Sequence, residues 1–164
     1  MSRNRAITID LDDTLWDCHP VIREAESKLW EWFETNYPKI SDNYTQEMVA
    51  DLRKKVVKDY PKKSHDYKFL RRSVLRTIFL TSGYDQKFAK DAFDFFDMHR
   101  NNVTLFEGAI ETLEMLSTNF RVIALTNGNA DLVKIGIKHL FFDVIYAADF
   151  GYAKPDIKIF NEAI

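Results

Sequence analysis

Ala6-Ile7-Thr8-Ile9-Asp10-Leu11-Asp12-Asp13-Thr14 is the stretch whose reading decides the fold. Its first four residues are short, β-prone and apolar, and the carboxylates that follow break the run, so it reads as a buried strand ending in an acidic turn. A strand sends alternate side chains to the same side, so Asp10 and Asp12 can both face one crevice if the backbone stays extended. Two carboxylates so placed can divide labour, one ionised as nucleophile and one protonated as acid. A calcium loop is the obvious rival. It fails because the sixth position is Leu15 instead of Gly and the twelfth is Val21 instead of Glu. The plain alternative is a pair of turn or capping aspartates.

Downstream of this stretch the hydrophobic period becomes helical from about Pro20 to Asn101. Val21, Ala25, Leu29, Trp32 and Phe33 form one stripe. Met48/Val49, Leu52 and Val56 form a second, Leu70, Val74 and Ile78 a third, and Phe88, Ala92, Phe95 and Phe96 a fourth. Pro38, Pro61 and Gly83 separate them, which predicts four helices. Beyond Asn102 the elements alternate. A helix is expected over 109–116, a buried strand over 122–125 stopping at Thr126-Asn127-Gly128, and a helix over 131–139. A strand over 144–147 follows, then a loop through Gly151 to Lys154-Pro155 and a helix from Asp156. Strands alternating with helices predict a parallel sheet in an open α/β fold. In such sheets the carboxyl ends of the strands form the ligand crevice. Asp10/Asp12, Thr126/Asn127 and Lys154 each follow a different strand.

Composition removes several function classes. The 164 residues carry 23 Lys+Arg against 25 Asp+Glu, a net charge of −2, which argues against a nucleic-acid binder driven by bulk charge. Hydrophobic residues at 46% and aromatics at 14% suffice for a packed core. Cys18 is the single cysteine, so neither an internal disulfide nor a cysteine zinc site can form, and the four histidines are scattered. No apolar run approaches a membrane span. The basic start, Met1 to Arg5, is followed by too short an apolar stretch for a signal peptide, so a cytoplasmic location is expected. The five glycines contain no G-x-G pair, which excludes a dinucleotide fingerprint. Residues 18–100 hold 16 Lys+Arg against 13 Asp+Glu, with ten of the basic residues between Arg53 and Arg76. That tract is read either as solvated helix faces or as a basic surface attracting an anionic substrate.

Thr126 with Asn127-Gly128 offers a hydroxyl and turn amides that suit a phosphoryl oxygen, although Thr-Asn-Gly is also ordinary turn chemistry. Taken in order, 7–15, 124–128 and 151–155 resemble the first three motifs of the haloacid dehalogenase-like (HAD) hydrolase superfamily. Asp10 through Ile22, with 126–130, is more narrowly similar to bacterial flavin mononucleotide and aminoribitylaminouracil-phosphate phosphatases. The resemblance implies a Rossmann-like α/β core over 1–16 and 102–164 and an inserted all-α helical cap over 17–101. It implies a phosphatase acting on a small phosphorylated metabolite with Mg²⁺ as cofactor, and the basic tract from Arg53 to Arg76 favours an anionic, nucleotide-like phosphate over a neutral polyol phosphate. Asp10 would form an aspartyl-phosphate and ligate the metal. Asp12 would protonate the leaving alcohol and then activate water, its backbone carbonyl on the metal. Thr126 and Asn127 would bind the phosphoryl group, and Lys154 would offset its charge. Trp16, Arg71 and Arg72 are the cap and substrate contacts expected, Trp16 either lining the crevice or packing beneath the hinge.

The family's fourth motif, an acidic loop after a fourth strand, has no counterpart before Ile164. The chain is accordingly expected to be a fragment, poorly active by itself, with the edge of the first strand open. Two alternatives stand beside the phosphatase: a haloacid dehalogenase, disfavoured because halide departure needs no proton from Asp12, and a catalytically silent phosphate-ligand or protein-binding module.

Overall fold

The structure, a computed structural model, describes residues 5–163; the chain start at residues 1–4 and the terminal Ile164 lie outside it. The described chain divides into two compact units. One runs to Pro20 and resumes at Asn101, and the other is Val21–Arg100.

The first unit is built on a three-stranded parallel sheet in the order β1-β2-β3, with β1 at Ala6–Ile9, β2 at Arg121–Thr126 and β3 at Asp143–Tyr146. The β2 run Val122-Ile123-Ala124-Leu125-Thr126 is buried throughout, as expected of a central strand covered on both faces. β1 departs from the buried strand predicted for it: Thr8 is exposed and Ile7 and Ile9 are half-buried. Among the described residues β1 pairs with β2 alone, so one of its edges stays unpaired. The register Ile9–Ala124 carries Asp10 and Asp12 past the end of β1 at the level where β2 reaches Thr126.

Helix α6 (Ala109–Asn119) precedes β2, and its Leu113 packs with Val122, Ala124, Leu11 and Trp16 in the main core of this unit. Between β2 and β3 the predicted nine-residue helix is shorter. α7 spans only Leu132–Ile135, and a 3₁₀ turn follows at Lys138–Leu140. Gly136 explains the break, because it sits at φ 90° and ends the helix in the left-handed region that glycine enters at no steric cost. After β3, which ends at Tyr146, one residue short of the strand expected over 144–147, a one-turn helix, α8 (Ala147–Phe150), takes Ala147 and the start of the expected loop, and α9 (Ile157–Glu162) begins one residue after its N-cap Asp156. Leu125, Ala147 and Ile159 close a second, smaller core on this side.

The second unit is helical. α1 (Cys18–Asn36) leads into it, followed by α2 (Pro38–Asn43), α3 (Gln46–Asp59), α4 (Tyr67–Thr81) and α5 (Ala89–Arg100). The four predicted helices are present. α2 is additional, because Pro38 initiates a short helix at its first turn, where its missing N–H costs nothing. Thr45 caps α3 by accepting the Met48 N–H, and Asp66 caps α4 by accepting the Phe69 N–H at 2.9 Å, each worth about 1 kcal/mol. The predicted stripes converge on one core that includes Leu29, Phe33, Val56, Leu70, Val74, Ile78, Ala92 and Phe96. No helix among the described residues is long and apolar enough to cross a membrane.

Candidate active site

Every residue of the strand-end constellation belongs to the sheet-bearing unit. Asp10 leaves β1 with its Oδ1 accepting the Leu11 N–H at 2.8 Å and its Oδ2 held 2.7 Å from Lys154 Nζ. The Asp10 side chain is 44% exposed and that of Lys154 20%, so this is a contact at a solvent-facing site. Its value lies in placement more than in stability.

The turn after Asp10 is tightly built. Asp13 takes φ 61°, its N–H bonds the Trp16 carbonyl at 2.9 Å, and the Leu15 N–H bonds the Leu11 carbonyl at 2.9 Å. Asp13 Oδ1 accepts the Cys18 N–H at 2.8 Å, which ties the turn to the start of α1. Trp16 folds back so that its indole Nε1 donates to Asp12 Oδ1 at 2.9 Å. Trp16 is completely buried in the core of the sheet-bearing unit with Leu11, Leu113 and Val122, so its ring does not line an open crevice.

The other oxygen of Asp12 lies against the turn after β2. A Cβ added to Gly128 would fall 2.1 Å from Asp12 Oδ2 and 3.1 Å from Thr126 Oγ1, so only glycine leaves room for the carboxylate there. Thr126 is 1% exposed, and its Oγ1 accepts the Gly128 N–H at 2.8 Å. The hydroxyl proton of Thr126 therefore remains available to donate.

Asn127, expected among the phosphate-binding residues through its turn amides, has both polar atoms of its side chain on the Lys154 backbone. Its Nδ2 donates to the Lys154 carbonyl at 3.0 Å and its Oδ1 accepts the Lys154 N–H at 2.7 Å. This reciprocal pair fixes the backbone that carries Lys154, and nothing in a Thr-Asn-Gly turn announces it. Tyr146, the last residue of β3, donates its hydroxyl to the Ala130 carbonyl at 2.9 Å, and Asn101 Oδ1 accepts the Asp131 N–H at 2.7 Å; both steady the 126–131 loop.

The two arginines expected to meet substrate lie in the helical unit. Arg71 is 18% exposed, ion-paired to Glu26 and stacked over Phe96, while Arg72 is exposed and lies over the Phe93 ring at 4.3 Å. Within the basic tract, Lys54, Lys55 and Lys63 pair with Asp51, Asp59 and Asp66 along their own helices and turns. These contacts fit solvated helix faces.

Among the described residues no group of three or more His, Cys, Asp or Glu side chains is placed to hold a metal. The strand end nevertheless offers a hard oxygen donor in the exposed Asp10 carboxylate, to which the family resemblance adds the Asp12 backbone carbonyl. Mg²⁺ accepts a set of that kind when phosphate and water complete it.

A parallel α/β sheet with paired aspartates beyond its first strand, and a helical unit inserted between its first and second strands, is the architecture of haloacid dehalogenase-type hydrolases. Residues 4–164 match the haloacid dehalogenase-like hydrolase family, and the chain belongs to it. It is 28% identical over 159 residues to the 5-amino-6-(5-phospho-D-ribitylamino)uracil phosphatase YigB of Escherichia coli (strain K12), covering 94% of this chain and 66% of that protein. It is 25% identical over 170 residues to the glyceraldehyde 3-phosphate phosphatase of Methanothermobacter thermautotrophicus, covering 98% of this chain and 70% of that one. Among solved structures, the 2-haloacid dehalogenase from Pseudomonas syringae pv. tomato DC3000 superimposes with a TM-score of 0.91 at 36% identity, covering 97% of this chain and 70% of that one. The chain thus spans about two thirds of the length of these relatives.

Proposed function

We propose that this chain carries the phosphoryl-transfer site of a cytoplasmic, Mg²⁺-dependent phosphomonoester hydrolase acting on a small phosphorylated metabolite. The observation that carries the reading is the contact of Asp10 Oδ2 with Lys154 Nζ at 2.7 Å, with Asp12 Oδ2 close against Gly128 in the turn that follows Thr126. Two curated relatives that are phosphatases of small phosphorylated compounds support it.

A carboxylate attacking a phosphate dianion brings like charges together, so the site has to neutralise charge before the bond can form. Lys154 does this beside Asp10. Mg²⁺, held by the Asp10 carboxylate and the Asp12 carbonyl, would supply further positive charge. Asp10 attacks phosphorus, the P–O bond to the alcohol breaks, and the departing alkoxide takes the proton from Asp12. Water then loses a proton to Asp12 and attacks the same phosphorus. The P–O bond to Asp10 breaks, inorganic phosphate leaves and Asp10 is restored. Thr126 donates its hydroxyl proton to a phosphoryl oxygen, and Asn127 holds the Lys154 backbone in register.

The test is turnover of p-nitrophenyl phosphate with Mg²⁺ against EDTA, on the wild type and Asp10→Asn. Activity that survives EDTA, or survives Asp10→Asn, refutes the reading. A second reading, haloacid dehalogenase, draws on the 36% identity to the Pseudomonas structure. Chloride release from 2-chloropropionate that persists in Asp12→Asn, with no phosphate release, would establish it instead.

A further inference from the structure

We propose that the helical unit contains a second, non-catalytic binding site for a small aromatic carboxylate, held in a cavity between α1, α3 and α4. This goes beyond the phosphatase reading and does not depend on it.

The cavity measures about 190 Å³. Each of the three helices gives it one stripe: 26, 29, 30 and 33 from α1, 46, 49, 50 and 53 from α3, and 71, 74, 75 and 78 from α4. The middle of every stripe is apolar, with Trp30 and Leu75 among the walls. A cavity of about 150 Å³ lined by such side chains stays dry and accepts benzene, so this one has room for a ring and a substituent.

Its charged end selects what that substituent is. Arg53 Nη1 at 2.7 Å and Arg71 Nη2 at 3.2 Å both contact the same oxygen of Glu26, so two guanidinium groups share one carboxylate. Arg71 is fixed in place by the Phe96 ring, 3.5 Å below its guanidinium carbon. Burial, with the nearby charge of Arg53 and a smaller effect of Arg100, pushes Arg71 down to about 10 despite Glu26. It stays protonated at neutral pH, and two guanidinium groups against the single Glu26 carboxylate leave a net positive charge that a second carboxylate would neutralise. Planar bidentate recognition of a carboxylate is what a guanidinium does best.

The probe is sodium benzoate, with benzamide as its neutral counterpart, followed by calorimetry and by quenching of Trp30 fluorescence. Saturable one-to-one binding of benzoate is expected, about tenfold tighter than benzamide. Arg53→Gln should lose that preference, and Ala50→Leu, which fills the cavity, should abolish binding. Arg53 is 39% exposed, so its replacement leaves the core intact; Arg71→Met serves as the second variant. Asp10→Asn should bind benzoate as the wild type does, which separates this site from the catalytic reading. Absent saturation, equal affinity for benzoate and benzamide, or undiminished binding in both Ala50→Leu and Val49→Phe would each overturn the proposal.

Discussion

The indole Nε1 of Trp16 donates to Asp12 Oδ1 at 2.9 Å from a ring with no solvent exposure. A buried donor of this kind fixes one carboxylate oxygen and leaves the other directed at the Thr126–Gly128 turn. If Asp12 handles the proton of the leaving group, Trp16→Phe should slow hydrolysis of an alkyl phosphate by roughly tenfold or more through misplacement of the carboxylate. The same substitution should affect p-nitrophenyl phosphate far less, since that leaving group departs without a proton. The ratio of the two kcat/KM values is the measurement. Equal losses on both esters would mean that Trp16 serves packing alone.

Gly128 gives a sharper steric test. A methyl group at that position would overlap Asp12 Oδ2, and the carboxylate is the part able to move. Gly128→Ala should therefore leave the fold near wild-type stability while lowering phosphatase kcat about 10²-fold, the cost typical of a displacement near 1 Å at a reacting group. Thermal unfolding and steady-state kinetics on the same preparation check both halves. A folded variant of undiminished activity would show that Asp12 does not need its present position.

The helical unit depends on a cluster of rings around Phe79. Phe33 lies 5.9 Å from it edge-on, Tyr37 4.8 Å and Tyr84 6.2 Å away, and Phe79 itself is fully buried. Phe79→Ala should cost about 3–5 kcal/mol, the range for a large core aromatic whose site cannot collapse. Urea unfolding followed by the fluorescence of Trp30 and Trp32, both in this unit, measures it. A loss below about 1 kcal/mol would mean that the neighbouring rings close the gap.

Much of this arrangement was legible because it rests on period and punctuation. The change from helical stripes to alternating elements near Asn102 was visible in the sequence, and so was the placing of Asp10, Thr126 and Lys154 after different strands. What stayed hidden depends on backbone geometry that residue types do not announce. The expected helix over 131–139 counted apolar spacing and passed through Gly136, whose positive φ stops α7 after four residues. β1 reads as buried because Ile7 and Ile9 are apolar, but among the described residues it is flanked by β2 alone, Ile7 and Ile9 stay half-buried and Thr8 is exposed. The Trp16 bond to Asp12 needs Asp13 in the left-handed region to fold the chain back, a conformation that only a few per cent of non-glycine residues adopt. The turn amides of Asn127-Gly128 are legible as groups that suit an anion, whereas the pairing of the Asn127 side chain with the Lys154 backbone, 27 residues on, is a long-range contact that no local pattern announces.

Tyr37 links the same ring cluster to pH. Burial, then the negative charge of Asp91, then Tyr84, raise its phenol above the ordinary value of 10.0. Its ring is packed against Trp32, Phe79, Tyr84 and Phe88 at centroid distances of 4.8–5.5 Å. A group that holds its proton more tightly when folded contributes stability fully below the unfolded pKa. That contribution fades as pH rises through the folded one. The helical unit should therefore lose stability above about pH 10, and Tyr37→Phe, which cannot ionise, should flatten that limb while leaving stability at neutral pH nearly unchanged. Urea midpoints from pH 8 to pH 11 on both proteins decide it. An alkaline limb equally steep in Tyr37→Phe would assign the loss to the other tyrosines and to the lysines.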